Sequence, residues 1–221
     1  MFNRSWGVMV EVPYWLRSFK TDLGPPTGVT TFNHSALGDV RLMGVYSGFS
    51  ADMSTGLTFG VKLPTGDFRY ANYDRDTEIG TGSTDVLLGG YHLGAITRDN
   101  SFSYFVQGLL DIPVASQGGY KPGAEFDGAV GAYYRGWMVA GGKVRISPVA
   151  QFIVSSRDKD SGVNANPDNS GYTRGIVSPG IEIAAGDWKL YGDVEAPVYQ
   201  NYKGNQLSAH EAFKLILSRN F

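Results

Sequence analysis

Residues 57–64 read Leu-Thr-Phe-Gly-Val-Lys-Leu-Pro, and the alternation within them decides the fold. Leu57, Phe59, Val61 and Leu63 fall on one side of an extended chain, and Thr58, Gly60, Lys62 and Pro64 on the other, because successive side chains of a β-strand point to opposite faces. One face is uniformly apolar, and the other carries a cation. The split recurs at 102–114, where Phe102, Tyr104, Val106, Leu110, Ile112 and Val114 oppose Ser103, Gln107, Asp111 and Pro113. At 188–199, Trp188, Leu190, Val194 and Val198 oppose Lys189, Tyr191, Asp193 and Glu195. The first segment places Trp6, Val8, Val10, Val12 and Tyr14 against Glu11, Pro13 and Arg17. Weaker versions run through 39–49, 84–95, 126–135, 144–157, 176–185 and 209–221, making about ten strands in all.

Several of these runs reach the ~9 to 11 residues that a tilted strand needs to cross a bilayer. The mean hydropathy of −0.17 does not argue against crossing, since lipid-facing and lumen-facing residues alternate and cancel in an average. Thirty glycines and 13% aromatics, with only 18% charged residues, suit strands and tight turns better than helices. The expected fold is all-β: one domain over 1–221, an antiparallel up-and-down transmembrane β-barrel with about ten strands in this chain. A net charge of −2 leaves no basic excess for a phosphate backbone, which sets nucleic acid aside as a partner. The absence of cysteine excludes disulfides and thiolate chemistry.

Connection lengths alternate. Short links are expected near Ala51–Ser54, Thr97–Asn100, Ala140–Lys143 and Gly186–Asp187, and long ones at 22–37, 67–82, 117–124 and 158–172. Outer-membrane barrels place short turns on the periplasmic side and long loops outside, so the long set is expected to be extracellular. Trp6, Tyr14, Trp15, Tyr104, Tyr134, Trp137, Trp188 and Tyr199 cluster where strands leave the apolar band, as interfacial girdles do. Glu11-Val-Pro13, Lys62-Leu-Pro64, Asp111-Ile-Pro113 and Glu195-Ala-Pro197 form a loose repeat, with proline expected where regular pairing stops. At the C-terminus, Phe213, Leu215 and Leu217 alternate in register with a terminal Phe221. Such a terminal phenylalanine resembles the signal read by barrel-assembly machinery, although Arg219 departs from the pattern.

Taken in order, RSWGVMVEVPYW at 4–15, LGDVRLMGVY at 37–46, GLTFGVKLPTGDF at 56–68 and GTGSTDVLLGGY at 80–91 resemble an outer-membrane transporter family. YKPGAEF at 120–126, DSGVNANPDNSG at 160–171, and SPGIEI with LYGDVEAPVYQ at 178–200 continue the match. The family is labelled "MetA-pathway of phenol degradation". The resemblance implies a link to aromatic-compound uptake or catabolism, brings no catalytic residues, and implies a natural barrel of about twelve strands with a signal peptide and a further strand pair ahead of Met1.

The inward face is expected to carry Glu11, Arg17, Asp39, Arg41, Lys62, Asp85, Gln107, Asp111, Arg135, Arg145, Gln151, Glu182, Lys189, Asp193, Glu195 and Lys214. Nearly balanced signs on that face suit either a polar lumen that selects solutes or a salt-bridged plug filling a narrow barrel. Of the three histidines, His34 falls in a loop, His92 near a periplasmic end and His210 near the last strand, and none sits in a nucleophile motif. Barrel catalysis would gain support if His34 or His210 came within hydrogen-bond reach of a rim Ser or Asp. The loop with Asp158, Asp160 and Asp168 is rich in oxygen ligands but lacks the spaced glutamate of a calcium loop, and these residues also make turns for local reasons. The expected function is a channel or transporter for small solutes, aromatic or apolar compounds among them, without a cofactor and without catalysis. The alternatives are a structural or interaction barrel acting through its external loops, and a rim-located barrel enzyme.

Overall fold

The computed structural model describes residues 5–70 and 73–220. Thirteen strands account for most of it: β1 (Trp6–Glu11), β2 (Tyr14–Asp22), β3 (Val29–Leu37), β4 (Val40–Tyr46), β5 (Thr55–Leu63), β6 (Ser83–Ala95), β7 (Phe102–Ser116), β8 (Glu125–Tyr134), β9 (Trp137–Val139), β10 (Val144–Arg157), β11 (Tyr172–Ala185), β12 (Trp188–Tyr202) and β13 (Ala212–Arg219). Ten lie side by side in one antiparallel sheet, in the order β1-β4-β5-β6-β7-β8-β10-β11-β12-β13, and β9 prolongs the line of β8 along β10. Among the described residues β1 pairs only with β4 and β13 only with β12.

Among the described residues no second layer covers this sheet, yet its two faces differ sharply. Lys62, Asp85, Leu87 and Asp111 are 0–7% exposed, while their outward neighbours Phe59, Leu88 and Val106 are 44–48% exposed. A single sheet buries one face only by curling, so the charged face is concave and the apolar face convex. The architecture is a curled, all-β antiparallel sheet with the form of a partial barrel.

Turns and loops segregate to opposite ends. At the turn end two connections share one construction. Ser50 and Ser54 hydroxyls meet at 3.2 Å, Ser54 N donates to Asp52 Oδ1, and Met53 sits at φ 56°. Thr97, Asp99, Asn100 (φ 58°) and Ser101 repeat it. The carboxylate therefore accepts hydrogen bonds from its own turn, which fixes the reversal. Trp6 with Tyr46, Phe102 with Tyr134, and Tyr134 with Trp137 pack as aromatic pairs at this end. Tyr14 and Trp15, exposed, lie toward the other end.

Two expectations change here. Residues 22–37 are not an irregular loop: β2 and β3 pair from Tyr14↔Leu37 to Asp22↔Val29, making a regular hairpin turned by 23–28. It continues β1 and β4 beyond the sheet, across breaks at Val12–Pro13 and Gly38–Asp39. The proline repeat also divides. Pro13 and Pro64 follow the last paired residues of β1 and β5, whereas Pro113 and Pro197 lie inside β7 and β12. Each of these adjoins a register shift that leaves the next residue, Val114 or Val198, as a bulge, and the strand continues past it. Phe221 lies outside the described residues.

Candidate functional site

On the concave face, Glu11, Arg41, Lys62 and Asp85 are direct cross-strand neighbours on β1, β4, β5 and β6. Cross-strand side chains lie close enough to pair, and these do. Lys62 Nζ forms ion pairs with Asp85 and, at 3.1 Å, with Asp111 Oδ2. Arg41 reaches Asp111 and Glu11, each at 3.8 Å. Lys62, Asp85 and Asp111 are buried, so this cluster is held in a low-dielectric recess in which Lys62 touches both acids.

A second network follows along the wall. Glu125 Oε1 accepts from Ser155 at 3.0 Å and from Tyr172 at 2.5 Å, and Arg174 Nη2 donates to Ser155 and Tyr172 at 3.2 and 3.1 Å. A third joins Gln151, Ser178, Tyr191 and Asp193, with Tyr191 donating to Asp193 at 2.8 Å and Lys214 bridging Asp193 and Glu195. Toward the turn end, Lys189 pairs with Glu182 at 3.6 Å and Arg135 donates to Ser103 at 3.0 Å.

Of the residues expected on the inward face, the structure thus joins Glu11, Arg41, Lys62, Asp85 and Asp111 in one cluster and Gln151, Asp193, Glu195 and Lys214 in another. Gln107 and Arg145 are exposed and take no part in either. Arg17 lies on the protruding hairpin, donating to the carbonyls of Thr77 and Glu78. Sequence reasoning missed Glu125, Tyr172 and Arg174. Glu125 falls on the same side of the alternation as Arg135, one residue before the segment read as a strand, but Arg174 acquires its partners only through the β10–β11 register. The concave face is also not polar throughout: Met43, Leu87, Ala129 and Ile176 are buried on it. Large rings there lie flat against the wall; a Cβ at Gly131 would come within 2.4 Å of the Phe105 ring, and one at Gly56 within 2.4 Å of Tyr91. Glycine at these two positions keeps bulky side chains from projecting across the concavity.

Around the loop end the long connections are fastened in series. His34 Nε2 meets Asp67 Oδ2 at 3.1 Å and its ring stacks on Tyr70 at 3.7 Å. Arg75 lies over the Tyr120 ring at 4.9 Å. Tyr120 donates to Asp160 at 2.6 Å, and Arg157 donates to both Asp160 (2.6 Å) and Tyr120 (3.0 Å). Burial pushes the Tyr120 hydroxyl pKa well upward. Asn205 N donates to Asn169 Oδ1 at 2.8 Å, which ties in the last loop.

Both oxygens of Asp160 are thereby occupied by protein donors, and exposed Asp168 pairs with Lys159 at 3.5 Å. Asp158, the third residue of that loop, is bound through its backbone N–H to Ala124 O. Among the described residues no group of three His, Asp or Glu side chains is placed to hold a metal. His34 does reach a rim aspartate. Its ring is covered by Tyr70, however, and the pair joins two chain segments. His92 pairs with Thr55 at 2.8 Å near the turn end. Compared with known protein families and with curated proteins, the chain matches none.

Proposed function

We propose that this chain forms an outer-membrane β-barrel that passes small solutes through its concave, charge-lined interior. One observation carries the reading: the sheet is inverted, with its charged face buried and its apolar face exposed. Large exposed apolar surface is a liability in water and the required surface in hydrocarbon. The central strands support it with 13–15 residues each in β6, β7, β10, β11 and β12, ample for a tilted crossing. The aromatic pairs at the turn end, with exposed Trp6 and Phe102, suit an interface there.

Unpaired N–H and C=O groups cannot face lipid, so the edges of β1 and β13 require partners. Nine antiparallel steps separate them, which makes them antiparallel to one another. They close directly or through an even number of added strands. The twelve-strand barrel implied by the family resemblance is of the second kind, and that resemblance also brings aromatic or apolar compounds into the range of solutes.

A second reading, an interaction barrel working through its external surface, draws on the fastened loops. Planar-bilayer recording of the refolded protein separates the two. Discrete conductance steps whose ion preference shifts in Asp111→Asn support the pore; an inserted barrel that remains silent favours the loop surface.

A further inference from the structure

The irregularity at Gly38 and Asp39 carries an inference that rests on the pore reading and extends it. Along β1 and β2 the alternation runs through Pro13, so Arg17 and Phe19 share the face of Glu11. On the returning arm Arg41 pairs with Glu11, but Leu37 pairs with Tyr14, so Gly38, Asp39 and Val40 stand opposite only Val12 and Pro13. One extra residue is a bulge, and it exchanges the two faces of the arm beyond it. Phe32 and His34 are thereby brought to the side of Arg17 and Phe19, which is the concave face prolonged past the sheet.

The connection between β5 and β6 packs against this prolonged inner face through residues 66–70 and 73–82. Tyr73 meets Phe19 at 5.2 Å and Phe32 at 5.9 Å, His34 holds Tyr70 and Asp67, and Arg17 grips Thr77 and Glu78. The base of the connection is pinned by Asp39, whose carboxylate accepts from Gly66 N at 2.9 Å and Thr81 N at 2.8 Å. There the backbones of Gly38, Gly66 and Gly80 touch: a Cβ at Gly80 would lie 2.5 Å from the Gly66 carbonyl carbon. On its far side, Arg75 reaches Tyr120 on the connection after β7.

We infer that this connection is the constriction of the outer mouth, an inward-folded loop that sets the size of solute admitted, with Arg17, His34 and Asp39 as its positioning residues. A loop held from inside one wall and reaching across the strands narrows the entrance, as a loop packed outside the hairpin would not.

The test is the double variant Arg17→Ala/Tyr73→Ala, refolded in lipid, with folding verified by heat-modifiable gel migration. Faster trypsin cleavage after Arg75 reports release of the loop. With release, single-channel conductance is expected to rise on the order of two-fold, and larger neutral polymers to enter. Gly80→Ala, which displaces the base without removing a hairpin contact, is expected to act in the same direction. A released loop with unchanged conductance and polymer exclusion overturns the constriction. Inserted barrels silent in both wild type and variants overturn the pore itself, whereas a silent wild type with conducting variants shows that the loop closes the mouth.

Discussion

Arg41 and Lys62 stand directly opposite one another on β4 and β5, two cations side by side on the concave face. Like charges so placed repel, and the row holds because each cation has an acid beyond it: Glu11 beside Arg41, and Asp85 beside Lys62, with Asp111 reached by both. The arrangement makes Lys62 the centre of the cluster, since it alone touches both buried aspartates.

Lys62→Met therefore leaves two buried carboxylates without their ammonium, and unfolding titrations in lipid are expected to show a loss of about 3–5 kcal/mol. Lys62→Met/Asp85→Leu removes the pair together and leaves Asp111 to Arg41, so its stability should return close to wild type. Equal losses in the two variants would mean that leaving Asp85 without the ammonium costs nothing, and that the loss lies with Asp111.

At the loop end, Asp160 accepts from Tyr120, Arg157 and Gly123 N while 2% exposed. Asp160→Ala strands the Arg157 guanidinium and is expected to cost about 3–5 kcal/mol, against about 1 kcal/mol for Tyr120→Phe, which removes one hydroxyl. Hydrogen exchange at 117–124 and 158–171 should accelerate together in Asp160→Ala. Acceleration confined to one loop would show that the two are not joined through this carboxylate.

The turn at 50–54 makes a prediction about pH. Hydrogen bonds from Ser50 and Ser54 hold Asp52 down from 3.8 to about 2. A lowered carboxylate contributes its stability above the ordinary value and loses it as pH falls from about 4 toward 2. In a carboxyl-resolved NMR titration, Ser50→Ala should move the Asp52 midpoint back toward 3.8, and an unmoved midpoint would assign the shift to Ser54, through its hydroxyl and backbone N–H, and not to Ser50.

These features differ in how far they could be read from residue order. The strand at Leu57–Leu63 was legible because one side is apolar and exposed and the other polar along its whole length. β3 was not, because Phe32 and His34 are covered by residues of the β5–β6 connection, which imposes no clean alternation. The turns at 51–54 and 97–100 announce themselves through local Asp and Ser, whereas the His34–Asp67 contact spans 33 positions and the Glu125–Tyr172 contact 47. Contacts of that kind depend on register, and the Gly38–Asp39 bulge that sets the hairpin's faces carries only a common turn-like pair as its mark.

Glu78 makes the constriction loop itself sensitive to pH. Burial raises its pKa above the ordinary 4.5, with Asp67 adding to the effect and Arg75 and His34 opposing it. A raised carboxyl favours the docked loop while protonated; as pH climbs past 4.5 the released loop sheds its proton first, and docking weakens until the docked form has ionised too. Trypsin cleavage after Arg75 in lipid-embedded protein, corrected for the enzyme's own pH profile, should thus be slower near pH 5 than near pH 8. Glu78→Gln removes the titrating carboxyl and should abolish that difference. A Glu78→Gln profile superimposable on wild type would show that the ionised carboxylate is accommodated in the docked loop without cost.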